Sequence, residues 1–221
     1  ISWFTDYFGC GDLDGNGLDE IIQYGRMSGH EKYRFYTYEM KNEVRFDYYQ
    51  SSQSLTNGYE GIFEIEEEPD YSEKYMFGDV DGDGVDEVIQ YGRPTGDSAF
   101  VFQVYDIVEQ STIVTYSHDG WSMRVLIEQV PEFSDNYVVG DIDDDGTDEI
   151  IQYGYDSALS LFEFRCYEVS NGVHYDYDID DDAYTQIYEC SFNIQEISWF
   201  TDYFGCGDLD GNGLDEIIQY G

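Results

Sequence analysis

Asp79, Asp81 and Asp83 stand at positions 1, 3 and 5 of a nine-residue run, "DVDGDGVDE", that ends on Glu87. Alternate residues around a tight turn face inward, so the three carboxylates converge on one point, and Gly84 at position 6 permits the bend. The carbonyl of Val85 adds an oxygen, and Glu87 closes the cage. Hard oxygen ligands without His or Cys suit Ca2+ rather than zinc or copper, and Mg2+ prefers a rigid octahedron in which it keeps its waters. Asp-Gly and Asn-Gly pairs are also good turn formers, but a turn does not require acids or amides repeated at odd positions. Without a cation, each pair of neighbouring carboxylates costs from about 1 kcal/mol in water-like surroundings to about 4 kcal/mol at an effective dielectric of 20.

The same template occurs three more times. Asp12, Asp14, Asn16, Leu18 and Glu20 form the first copy; Asp141, Asp143, Asp145, Thr147 and Glu149 the third; Asp208, Asp210, Asn212, Leu214 and Glu216 the fourth. Leu18, Thr147 and Leu214 stand where Val85 offers its carbonyl. Asp19, Asp86, Asp148 and Asp215 directly precede the closing Glu and are alternatives to it as ligands. The closing acid falls at position 9, not 12, and the flanks read as strands, so these are not EF-hands.

The loops need elements to hold them, and the repeat supplies these. "GDLDGNGLDEIIQYG" at Gly11 recurs in close variants at Gly78, Gly140 and Gly207, spaced by 67, 62 and 67 residues. Ile1 to Gly25 returns letter for letter as Ile197 to Gly221, an offset of 196 residues. The expected organisation is three divergent modules, 1–67, 68–130 and 131–196, with 197–221 opening a further unit. Each module should contain a strand into the acidic loop, a strand out of it, and a hairpin. The expected hairpins pair "KYRFYTYEM" with "EVRFDYYQ", "AFVFQVYDIV" with "STIVTYS", and "LSLFEFRCYEV" with "VHYDYDI". A longer link such as "SHDGWSMRVLIEQVPEFSDN" adds at most a short strand. The fold class is therefore all-β: tandem four-stranded antiparallel blade-like modules, in an open array or a propeller-like ring.

Composition agrees with this class. Apolar residues are 41% of 221 and aromatics 18%, including 23 Tyr. Nine Lys and Arg against 49 Asp and Glu give a net charge of −40, which repels nucleic acid and anionic membranes and attracts cations. Surface acidity for solubility or high salt is the plainer account of part of that surplus. No apolar run approaches the length needed to insert into a membrane. Cys166 and Cys190 fall on neighbouring expected strands, as a disulfide suited to an oxidising setting or as buried thiols.

The stretch "FGDVDGDGVDEVIQYG" resembles the FG-GAP/VCBS repeat, the calcium-loop blade of integrin α-chain propellers and many bacterial surface proteins. The match covers "FGD", the D-x-D-x-D-G-x-x-[DE] loop and the hydrophobic strand after it; "QYG" replaces the family's "GAP". The resemblance implies a loop that joins the first two strands of a blade and holds Ca2+.

No nucleophile–base constellation, phosphate loop or dinucleotide fingerprint is present, and His30, His118 and His174 have no evident catalytic partner. No enzyme activity is expected. Asp176, Asp178, Asp180, Asp181 and Asp182 read as a solvated acidic hairpin or a further cation site. Trp3, Trp121 and Trp199, with the many Tyr, read as core and cross-strand pairs before sugar platforms. The expectation is a calcium-stabilised extracellular or cell-surface structural protein, part of a filament or stalk, whose partners are copies of itself or adjacent units. The alternative is a propeller-type adhesin for a protein or carbohydrate surface ligand.

Overall fold

In the strand after each acidic loop, "EIIQYG" or "EVIQYG", two adjacent β-branched residues supply one apolar side chain to each face, and in all three complete modules it becomes an interior strand. The computed structural model describes residues 7–26, 29–38, 61–67, 74–96, 98–108, 113–117, 120–129, 136–169, 190–196 and 203–221. Within these every regular element is a strand. Four strands of the first sheet, β1 (Tyr7–Gly11), β2 (Glu20–Arg26), β3 (Lys32–Tyr38) and β4 (Gly61–Glu66), follow one another in spatial order, each antiparallel to the next. The second contains β5 (Lys74–Gly78), β6 (Glu87–Gly92), β7 (Ala99–Tyr105) and β9 (Met123–Glu128). The third contains β10 (Asn136–Gly140), β11 (Glu149–Asp156), β12 (Leu161–Tyr167) and β13 (Cys190–Gln195). A two-stranded piece, β14 (Tyr203–Gly207) with β15 (Glu216–Tyr220), follows. None of these sheets closes into a barrel.

The fourth strand is not the expected one. In the second module "STIVTYS" contributes only β8 (Thr115–Tyr116), which pairs in parallel with β4 of the first sheet, Glu64 opposite Thr115. The edge strand of the second sheet comes from the link, at Met123–Glu128. Gly61–Glu66 and Cys190–Gln195 hold the same place in their sheets. The expected partners at 43–50 and 173–179, and the acidic run at 176–182, lie outside the described residues. Thr115 sits over the edge of β4, and the Lys32 ammonium donates to its hydroxyl at 3.1 Å, so β8 covers part of an otherwise open sheet edge.

Cys166 faces Cys190 across β12 and β13 and is joined to it by a disulfide, Cα to Cα 5.2 Å. Three apolar clusters fill the spaces between sheets. Leu13, Phe35, Phe63 and Tyr105 belong to the first, Val80, Ile89, Phe102 and Ile150 to the second, Phe164 and Phe204 to the third. Trp121 packs against the first cluster; Trp3 and Trp199 lie outside the described residues. The innermost strands touch in series, β1 with β5, β5 with β10, and β10 with β14.

Candidate metal centres

Each acidic loop turns twice through the left-handed region. Position 6 is Gly17, Gly84, Gly146 or Gly213, with φ between 82° and 94°. Position 4 is also left-handed: Gly15, Gly82 and Gly211, but Asp144 in the third loop, at φ 63°. The second reversal was not anticipated from sequence, where only position 6 was read as a required bend. With two turns, successive amides point into the loop, and the position 1 carboxylate accepts them. Asp79 accepts from the amides of Gly82 at 2.7 Å and Gly84 at 2.8 Å; Asp141 and Asp208 do the same in their loops. These amides hold Asp208 below the usual carboxylate range, Gly213 contributing most.

Position 9 reaches back to position 2. The Glu87 Oε2 accepts the amide of Val80 at 3.1 Å, and Glu20, Glu149 and Glu216 repeat the bond to Leu13, Ile142 and Leu209. One carboxylate oxygen is thereby fixed and the other remains for the loop. In the third loop this second oxygen, Oε1 of Glu149, is buried without a hydrogen-bond partner, an uncommon and costly condition for a charged group.

Three loops bring their acids together: Asp12, Asp14 and Glu20; Asp79, Asp81 and Glu87; Asp141, Asp143 and Glu149, each group with ligand oxygens within 4.8 Å of one another. Among the described residues the fourth loop, with Asp208, Asp210 and Glu216, does not form such a group, although its backbone bonds are the same. The position 5 side chains stand outside these groups. Asp83, Asp145 and Asn212 each accept the position 7 amide, of Val85, Thr147 and Leu214 respectively. Asn16 lies in its loop with its amide bonded to Asp12 and Asp14, and Leu18 is exposed.

Crowding has an electrostatic signature. Burial pushes Glu87 up to about 9, and Asp81 and Asp79 push it further in the same direction. Burial likewise raises Glu149 to about 7, with Asp143, Asp141 and Asp145 adding repulsion. An all-oxygen acid set that is mutually repulsive, with a buried oxygen aimed at no donor, can hold a metal ion. Compared with protein-family models, curated proteins and solved structures, the chain gives no match.

The position 8 acid, an alternative ligand on sequence grounds, has a different partner. Asp86 accepts the amide of Asp12 at 2.9 Å, and Asp148 accepts that of Asp79 at 2.9 Å. In return the amides of Asp86, Asp148 and Asp215 donate to the carbonyls of Asp12, Asp79 and Asp141. Each of these acids belongs to the following module. Burial first, and then Asp86 and Asp215, raise Asp148 to about 8. A Cβ on Gly11, Gly78 or Gly140 would strike the carboxylate of Asp86, Asp148 or Asp215, so this glycine is where the next module seats.

The Gln of "IIQYG" also spans two modules. Gln90 is fully buried; its amide donates to Tyr75 Oη and to the carbonyl of Glu66 in the preceding sheet, and Tyr105 donates to its oxygen at 2.9 Å. Gln152 repeats this with Tyr137, Glu128 and Tyr167. His30 is exposed, its carbonyl accepting from Arg26; His118 and His174 lie outside the described residues.

Proposed function

We propose that the chain is a calcium-stabilised extracellular structural repeat protein, a segment of a filament or surface stalk. The observation that carries the reading is that one loop does two jobs: its acids at positions 1, 3 and 9 converge, and its acid at position 8 fastens it to the preceding loop. A cation at positions 1, 3 and 9 offsets their repulsion and stiffens the turn from which the fastening acid projects. Calcium thereby sets the angle between modules. The all-oxygen donor set favours Ca2+, and the resemblance of "FGDVDGDGVDEVIQYG" to FG-GAP/VCBS blades supports the same ion. The disulfide between Cys166 and Cys190 fits an oxidising compartment.

The exact duplication of 25 residues supports a tandem array, since the internal modules agree only around the loop. Junctions of one design can be added in any number, as in other quasi-one-dimensional proteins. The experiment is electron microscopy of the native material with and without EGTA. Fibres whose repeat matches one 196-residue unit, and which collapse or kink on chelation, are expected. Isolated discs would overturn the array and favour a ring-shaped adhesin.

A further inference from the structure

Residues 7–25 and 203–221 have one sequence and two environments. Phe204 is 4% exposed, and its ring lies 5.1 Å from Tyr153, 4.9 Å from Phe162 and 5.0 Å from Phe164, all on the third sheet. Phe8, its counterpart, is 63% exposed. Tyr75 and Tyr137 occupy the corresponding place at the other junctions. Tyr75 fits among Tyr24, Tyr33 and Phe35 at 5.0 to 5.4 Å, and Tyr137 among Tyr91, Phe100 and Phe102 at 4.9 to 5.5 Å. A ring from the first strand of one sheet thus plugs a three-ring socket on the sheet before it, three times over. Cys10 follows the same rule. Cys206 packs where a Cβ on Gly140 would go, as Val139 does at Gly78, while Cys10 is exposed. Asp215 fastens to Asp141; its counterpart Asp19 is exposed.

We propose that the face carrying Phe8, Cys10 and Asp19 is a docking surface for the third sheet, β10–β13, of a second copy of this chain. Phe8 enters the socket of Tyr153, Phe162 and Phe164, and Asp19 meets the Asp141 backbone, as Phe204 and Asp215 do here. This deepens the array reading, on which it rests, by naming the surfaces that form the seam between units. The twin segment 203–221 competes for the same socket. Being tethered, it holds the site at the millimolar effective concentration of a short linker, so a second copy docks only where this segment is displaced.

The test follows from that competition and uses the whole chain in calcium buffer. Phe204→Asp should evict the plug, and sedimentation velocity should then show head-to-tail oligomers that grow with concentration. Adding Phe8→Asp to the same chain should return it to monomer, and Phe8→Asp alone should leave the sedimentation of the parent chain unchanged. Alkylation of Cys10 should slow at least tenfold in the oligomers, a reading independent of size. The milder Phe204→Leu should give the same ordering with smaller amplitude if Phe204→Asp perturbs folding. Monomeric Phe204→Asp with an exposed, rapidly alkylated Cys206 would overturn the proposal. So would oligomers indifferent to Phe8→Asp. Failure to find native fibres with this seam intact would instead remove the filament reading alone.

Discussion

Asp79 and Asp148, separated by 69 positions, are joined twice: the Asp148 carboxylate accepts the Asp79 amide at 2.9 Å, and the Asp148 amide donates to the Asp79 carbonyl at 2.7 Å. The pair locks the loop of one module to the loop of the next. Because the carboxylate is needed here as an acceptor, and its charge is opposed by burial and by Asp86 and Asp215, shape should matter more than charge. Asp148→Asn keeps an acceptor and should change unfolding free energy by less than about 0.5 kcal/mol. Asp148→Ala leaves the Asp79 amide without its acceptor and should cost about 1–3 kcal/mol. Urea denaturation of the two variants measures the difference, and equal losses would refute the assignment.

The glycine before each loop gives a matched pair. A Cβ on Gly78 would collide with Val139 and with the Asp148 carboxylate, whereas nothing lies within 4 Å of one on Gly207. Gly78→Ala should therefore destabilise by about 1–3 kcal/mol, as overpacking does. Gly207→Ala, at the corresponding position of the motif, should fall within about 0.5 kcal/mol of the parent. Thermal melts of both decide it: comparable shifts would mean that backbone freedom, not module contact, selects glycine here.

The third loop carries a correctable defect. Asp144 holds φ 63° where the other loops have glycine, and a left-handed L-residue costs about 1–2 kcal/mol, somewhat less for Asp. Asp144→Gly relieves this, against the larger backbone entropy that glycine loses on folding, about 0.5–1 kcal/mol. It also removes one negative charge beside Asp143 and Asp145. A small gain is expected, a melting point raised by roughly 1–4 °C. A lower melting point would show that the Asp144 side chain makes a contribution of its own.

Much of this architecture was readable from spacing. The loops at Asp12, Asp79 and Asp141 and the strands on either side follow from the acid pattern and from the short β-branched run that opens "IIQYG", since both are local. The edge strand is not legible from local composition, because "EVRFDYYQ" and "STIVTYS", which follow "KYRFYTYEM" and "AFVFQVYDIV", are as rich in aromatic or β-branched residues as a strand requires. Yet a signal existed. Phe63, Val125 and Phe192, with Ile65, Ile127 and Ile194, recur at spacings of 62 and 67, in step with the anchors Gly78, Gly140 and Gly207 of the modules that follow them. The role of Asp86 and Asp148 was not legible in the same way. Position 8 and position 9 are both acids, and only the path of the backbone turns one inward to its own loop and the other outward to its neighbour.

Two identical thiols should report on the junction. Cys10 is exposed, and Cys206 lies against Gly140. Iodoacetamide at pH 8 should label Cys10 at least tenfold faster than Cys206, with Cys166 and Cys190 unlabelled as a disulfide. Peptide mapping distinguishes the two sites, since the tryptic peptide that carries Cys206 begins after Arg165 and also holds Cys166 and Cys190, whereas that of Cys10 ends at Arg26. Equal rates would mean that residues 203–221 do not sit on the third sheet in solution.

Chelation tests the metal reading itself. At a calcium concentration ten times Kd, each occupied site adds RT ln 11, about 1.4 kcal/mol, to folding stability. Each such increment corresponds to a melting shift of roughly 3–6 °C for a unit of 150–250 residues. EGTA should therefore lower the melting point, and excess Mg2+ should restore little of it, because these loops offer crowded carboxylates and not a rigid cage with room for waters. Glu149→Gln separates the ion from simple charge relief. In EGTA it should stabilise, since it neutralises a buried carboxylate whose Oε1 has no partner and which Asp143, Asp141 and Asp145 repel. In calcium it should destabilise relative to the parent, since the third loop loses a charged ligand. That reversal of sign between the two buffers is specific to a cation held by Asp141, Asp143 and Glu149, and a shift of the same sign in both would rule such a cation out.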